Sequence, residues 1–349
     1  MNLLVFSGLS DHKLKNKLLP IISLEKVDKV YLIRNSAFKL QKIHSLTPPL
    51  LLNILFLREF IKLILGFYVL LFKEVDYVLG IFIRPHGILA YILGKTFKKP
   101  NIQLFIGNDI DFIENHPLLF KNLLQSAQKI GVRGTRSRKK IHNIAAKEVQ
   151  TFIHHNLFQT PQVNPEFNSL PKSIDILCVA DFTKVKRIDI FLKVIQRIKK
   201  THPHIQAVMS GGNRRKQIYE KMKSKVGLEN NVGFPGQVKD VDSYFYKSKI
   251  FLLTSQAEGL PMALIEAMSF GLPCVVPDVG NIADIIQSGY NGFLVKPLDV
   301  QEFTSRCLQL LEDEKLYERM SKNAIHSIQN KEKEFSLSHL KKVWNKILV

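Results

Sequence analysis

Three cysteines in 349 residues, Cys178, Cys274 and Cys307, are too few and too scattered for a disulfide framework or a cysteine metal centre. Each sits in or beside an apolar run, which fits a reducing compartment. The pairs His154-His155 and His202-Pro203-His204 have no cysteine or carboxylate at metal-ligand spacing, so no metal is expected. Acidic residues are also scarce: 30 Asp and Glu face 50 Lys and Arg, a formal charge of +20. Such an excess suits nucleic acid, an anionic membrane surface or an anionic substrate. Nucleic acid is the least expected of these, because the basic residues are not interleaved with stacking aromatics and no binding module is recognisable. No long clean apolar run is present. Residues 49–72 are apolar but interrupted by Arg58, Glu59 and Lys62, and the uninterrupted part, 63–72, is too short to span a bilayer. That segment reads either as a buried helix pair on a sheet or as an interfacial helix aided by Lys62 and Lys73. The first residues read as a strand, with no basic leader and no cleavage site.

What is there is alternation. Short, almost wholly apolar runs at 30–33, 77–81, 102–106 and 129–132 are separated by helix-like stretches, the pattern of a parallel sheet covered on both faces. Polar, proline-bearing stretches at 159–165 and 168–172 read as a linker. The alternation then restarts, with strands expected at 174–179, 205–209, 232–234, 249–254 and 274–276. The chain is therefore expected to form two successive doubly wound α/β domains, 1–168 and 169–333, with a cleft between them. Residues 334–349 form a final apolar-striped helix that returns to brace the first domain.

The most informative segment runs from Ser255 to Met268. It follows the strand at 249–254 and opens a helix, with Gly259 supplying a tight turn and Pro261 suited to the first helical position. A helix N-terminus at the C-terminal end of a strand is a ready anion site, whatever the side chains. Glu266 lies five residues beyond Pro261, about 7.5 Å along the helix axis. A phosphate at the helix start would leave Glu266 near an adjoining ribose. Glu258, in the loop, would face the other end of the ligand. That arrangement suits a nucleotide-sugar.

With Glu258 and Glu266 as an E-x7-E element, with Gly271-Leu272-Pro273 ending the helix, and with Asn291-Gly292 turning into a short strand, the chain resembles the retaining glycosyltransferases of family 4, whose fold is GT-B. The similar block runs from about 174 to 295, with looser similarity over nearly the whole chain. The resemblance implies that Glu266 holds the ribose hydroxyls and that Glu258 contacts the transferred sugar near the reacting carbon. It implies that the backbone of Gly259, Leu260, Met262 and Ala263 faces sugar and diphosphate. Lys186 occupies the family's phosphate-binding lysine position. Asp181 stands where an arginine is usual, a departure for which Lys184 or Arg187 would compensate. Gly211 and Gly212 resemble the glycine turn that approaches the nucleotide, and the 231–236 loop resembles the segment beside the base. The loop Pro277-Asp278-Val279-Gly280-Asn281 reads as flexible.

In the first half, Gly8 ends the first strand where the family places a glycine loop. His86 follows another strand and reads either as a residue facing the cleft on the acceptor side or as a surface histidine. Ile106-Gly107-Asn108-Asp109 resembles the family's H-G-x-D with the histidine replaced, leaving Asp109 as the catalytic candidate there. Arg133, at a further strand end, would meet an anionic group of the acceptor. The two D-x-D strings, at 109–111 and 240–242, are read as incidental.

The resemblance implies a retaining sugar transfer from a nucleotide-sugar, without metal or cofactor. The hydroxyl acceptor would be lipid-linked or part of a polysaccharide. The protein would be cytoplasmic, with peripheral contact at the anionic inner membrane face. The alternatives carried beside this are an epimerase or phosphorylase on the same fold, a catalytically weak scaffold, and a basic nucleic-acid- or membrane-binding protein.

Overall fold

The computed structural model describes residues 1–49, 55–107, 109–161, 171–212 and 215–349. The expected boundary at 168/169, most of the proline-bearing linker, and Asn108 and Asn213 lie outside the described residues. The chain divides into two compact units, Met1–Phe158 with Lys333–Val349, and Gln159–Glu332.

The first unit is a seven-stranded, all-parallel sheet of β1 (Asn2–Phe6), β2 (Lys29–Ile33), β3 (Ile43–Leu46), β4 (Tyr77–Ile81), β5 (Asn101–Leu104), β6 (Lys129–Val132) and β7 (Thr151–Ile153). Its order is β3-β2-β1-β4-β5-β6-β7. Alternate residues of β1 feed opposite faces. Leu3 and Val5 join a core with the helix Asp11–Ile22, while Leu4 and Phe6 join one with Val69, Leu70, Leu89 and Leu93. Both faces are therefore buried, as continuous apolar strands require.

The second unit is a six-stranded parallel sheet of β8 (Ile174–Val179), β9 (Ala207–Ser210), β10 (Val232–Gly236), β11 (Ser248–Leu252), β12 (Cys274–Pro277) and β13 (Gly292–Val295), in the order β10-β9-β8-β11-β12-β13. Each unit is thus doubly wound, with its strand order reversing once: between β1 and β4 in the first, and between β8 and β11 in the second. Such reversal points open a crevice at the C-terminal ends of the strands, where α/β sheets bind ligands.

The edge strands β3 and β7 were not expected from the sequence. They are short, β3 is interrupted by His44 and Ser45, and neither is fully buried. The apolar 49–72 segment forms one helix over its described part, Leu55–Phe72, rather than a helix pair. Its inner residues Val69 and Leu70 lie on the sheet, and its outer face is exposed. The C-terminal region is two helices, Glu314–Phe335 and Leu337–Ile347, broken where Ser336 Oγ accepts from the His339 N–H at 3.2 Å. The last helix belongs to the first unit. Trp344 and Ile347 enter the core of the Asp11–Ile22 helix, and Trp344 meets Phe152 edge-on at 5.5 Å. Among the described residues no helix is long and apolar enough to cross a membrane.

Candidate active site

The loops at the reversal point of the second unit bring together Lys186 and Glu258, which are 72 residues apart. The lysine ammonium donates to Glu258 Oε1 at 2.5 Å. Glu258 is buried and Lys186 is partly exposed. The frame is polar backbone. Thr254 Oγ1 donates to the carbonyls of Lys186 and Arg187 at 3.2 and 3.1 Å, and the Gln256 N–H donates to Val185 O at 2.8 Å. The loop after β11 is therefore stitched to the turn after β8, which fixes the position of the pair. Lys186, which the resemblance sends to the phosphate, and Glu258, which it sends to the transferred sugar, are here partners.

The helix that follows is Met262–Ser269, and it begins one residue later than expected. Pro261 is the N-cap, with extended backbone, rather than the first helical residue. Proline has no acceptor in its side chain, and no side-chain hydrogen bond caps the first turn. Amide N–H groups at such an end favour an anion. Gly259 and Leu260 are buried, while Met262 and Ala263 are half-buried at the helix start. Glu266, half-buried one turn further on, has its carboxyl pushed above the usual range, first by burial and then by the Asp242 carboxylate.

The loop after β12 is not the flexible one expected. Asn281 is buried, and its backbone N–H and Nδ2 both donate to Gly259 O, at 2.9 and 3.2 Å. Gly280 has φ +56°, and a Cβ there would stand 1.9 Å from Glu258 O, so only glycine fits against the carboxylate's own backbone. Gly280 and Asn281 were not singled out from the sequence. Their signal, a glycine–asparagine pair after a strand, is shared by ordinary turns.

The other donor-side candidates are placed as follows. The Arg187 guanidinium is held by Asp189, with Nε and Nη2 donating to its two oxygens at 2.9 and 2.7 Å. This pairing raises the arginine's affinity for its proton and lowers the carboxyl's. Arg187 is thus committed within its own helix start, whereas Lys184 is exposed. Gly211 packs on backbone: a Cβ there would meet Ala180 O at 1.9 Å. Gly212 accepts from the Phe182 N–H at 2.9 Å, and the Asp181 carboxylate lies beside it.

At the reversal point of the first unit, Gly8 and His86 meet. A Cβ on Gly8 would stand 2.7 Å from His86 Cε1. His86 is buried, and neither ring nitrogen has a hydrogen-bond partner among the described residues. Burial, helped by the Lys62 charge, pushes its pKa down to about 3. Asp109 is also buried. Its Oδ1 accepts from the Ile83 N–H at 3.1 Å and its Oδ2 from the Ile106 N–H at 2.8 Å. Burial raises its pKa to about 7, against the pull of those two bonds and of Arg84. Both oxygens are occupied with positioning backbone, so Asp109 ties the turn after β4 to the loop after β5. Arg133 is buried too, donating through Nη1 to His154 O at 3.0 Å and to Asn156 Oδ1 at 3.1 Å. Behind it lies a feature missed in the sequence: Lys17 Nζ stands 3.1 Å from His154 Nδ1, with Lys17 and His154 both buried. Among the described residues no three metal-ligating side chains converge.

Known proteins bear on this geometry. Residues 161–327 match the family model described as Glycosyl transferases group 1. The chain is 27% identical over 262 residues to the N-acetyl-alpha-D-glucosaminyl L-malate synthase of Bacillus anthracis, covering 70% of this chain and 67% of that protein. It is 29% identical over 184 residues to a Campylobacter jejuni N-acetyl-D-galactosaminyltransferase acting on an undecaprenol-diphosphate glycan, but spans only 49% of that protein. The Anabaena protein HepE, solved with UDP-glucose, shares the fold with a TM-score of 0.78 at 18% identity, covering 99% of this chain and 98% of that one. Residues 161–327 therefore carry the pattern of the group 1 glycosyltransferases, and the chain as a whole has the GT-B fold.

Proposed function

We propose that this enzyme moves a sugar, with retention, from a nucleoside-diphosphate sugar to a hydroxyl of a lipid-linked or polysaccharide intermediate. One observation carries the donor half. Lys186 and Glu258 are held at 2.5 Å beside the uncapped start of helix Met262–Ser269, with Glu266 one turn in. An incoming diphosphate competes with Glu258 for the ammonium and accepts from the first-turn N–H groups. Glu266 takes the ribose hydroxyls.

The bond from the sugar's anomeric carbon to the diphosphate then breaks, and the pair of electrons leaves with the phosphate. The acceptor oxygen bonds to the same carbon on the same face, and its proton passes to the departing phosphate. Charge stabilisation on the leaving group is the main catalytic contribution. Glu258, relieved of Lys186, offsets the positive charge growing on the sugar. No metal or cofactor is part of this proposal, because the ammonium and the helix start supply the positive field.

The acceptor half rests on relatives, two of which act on undecaprenol-diphosphate glycans. A cytoplasmic enzyme meeting its acceptor at the inner membrane face goes with that reading. The test is to incubate the purified chain with a panel of nucleotide-sugars, with and without undecaprenol-diphosphate acceptors, and to read the anomeric configuration of the product by NMR. Transfer with retention in the presence of EDTA is expected. Inversion, dependence on added metal, or conversion of the donor alone to an epimer would each contradict the proposal.

A further inference from the structure

Apart from Val349, the described residues of the first unit carry their exposed large apolar side chains on one layer of helices. Helix Leu55–Phe72 shows Phe60, Ile64, Tyr68, Leu71 and Phe72 to solvent, at spacings of three and four that form one stripe. Its neighbour, helix Ile88–Thr96, adds Ile92. That helix in turn touches helix Pro117–Ser126, whose first turn displays Leu118 and Leu119 at 87% and 71% exposure. Among the described residues the second unit shows no such concentration: Ile218, Tyr290, Leu298 and Ile325 are dispersed over separate elements.

The stripe is held outward by the packing. Gly66 sits on the opposite side of the helix, where a Cβ would stand 2.4 Å from Leu93 Cδ1 and 2.9 Å from Phe6 Cζ. Val69 and Leu70 fill the core beside it. Turning the helix to hide Tyr68 and Phe72 would break that close approach.

Charge selects the occupant. The three helices and the turns that close the first two, 55–76, 88–99 and 117–126, contain seven Lys or Arg against three Asp or Glu. Exposed Lys73, Lys95 and Lys98 lie at the ends of the apolar helices. An apolar face rimmed by lysines, on a helix interrupted by three charges and too polar to span, is the composition of a surface-lying element.

We propose that this helix layer docks on an anionic lipid bilayer, with the side chains of Tyr68, Leu71, Phe72, Leu118 and Leu119 entering the headgroup boundary. The docking rests on the proposed lipid-linked acceptor only for its biological purpose, and its test is independent of catalysis. Full-length protein is floated with vesicles of phosphatidylcholine alone and of phosphatidylcholine with phosphatidylglycerol. Binding to the anionic vesicles, weakened by salt, is expected. The double variants L71S/F72S and L118S/L119S are expected to bind about tenfold less. As their changes are solvent-exposed, their thermal unfolding and UDP affinity should match the parent.

Equal binding of parent and variants, or no preference for anionic vesicles, would overturn the proposal. So would sedimentation showing a dimer that these substitutions dissociate, which would assign the face to a second copy of the chain. Vesicle binding without any nucleotide-sugar affinity would leave this inference standing and remove the proposed function. The reverse would remove only the docking face.

Discussion

The two strand-order reversals of this molecule are built alike and furnished differently. At β8/β11 the loops present a carboxylate and an ammonium 2.5 Å apart, beside an uncapped helix start. At β1/β4 they present a glycine against a histidine whose ring nitrogens are buried and unpartnered among the described residues. One crevice offers mobile charge that a ligand can redirect. The other offers a neutral ring, because burial forbids it to carry a proton at ordinary pH. The same topology thus holds an ion pair beside a helix start at one reversal and a desolvated, neutral ring at the other.

The sharpest way to break that contrast is at the charged crevice. Glu258→Gln should lower kcat by about 10²-fold or more, the scale of losing one preorganised electrostatic group. It should leave nucleotide affinity intact, since it frees Lys186. If both kcat and affinity fall together, Glu258 is a structural group and not one that faces the sugar. Next is Gly280→Ala, whose Cβ would meet Glu258 O at 1.9 Å in a left-handed backbone. A loss of about 1–3 kcal/mol in unfolding free energy, with a rise in KM, is expected. Unchanged values would show that the loop has room to move.

The neutral crevice yields smaller effects, read by pH. His86 has its pKa lowered on folding, so the folded state binds fewer protons than the unfolded one. Its contribution is present above about 6.5 and is lost as pH falls towards about 3. Asp109 has its pKa raised to about 7, so its contribution is complete below about 4 and is lost as pH rises through 7. The two slopes oppose each other between about pH 4 and 6.5. Urea unfolding of His86→Phe should therefore show less acid destabilisation than the parent, and Asp109→Asn less destabilisation towards neutral pH. Parallel profiles for parent and variants would place both groups closer to solvent than the structure does.

Much of this was legible in the chain. The buried parallel strands read directly, since apolar runs such as Leu3-Leu4-Val5-Phe6 have one physical use in an alternating α/β pattern. Glu258, Glu266 and Lys186 were visible through spacing and resemblance. The meeting of Lys186 with Glu258 was not, because hydrogen bonds from Thr254 and Gln256 to a turn some 70 residues away set it, and no local pattern encodes them. The edge strands escaped because half-exposed strands lose the apolar signal. Arg187 reads as a phosphate ligand in sequence, but two residues on stands the aspartate that claims it. Asp109 is likewise a catalytic-looking carboxylate whose two oxygens were already needed by backbone.

The Lys186–Glu258 pair is proposed as a donor site waiting for a diphosphate. Isothermal titration of UDP and of GDP into the parent, Lys186→Ala and Glu258→Gln tests it most directly. The parent should bind at least one of the two nucleotides. Lys186→Ala should bind it at least about tenfold more weakly, and Glu258→Gln at least as tightly as the parent. Binding that is indifferent to Lys186, or absent for both nucleotides in the parent, would contradict it.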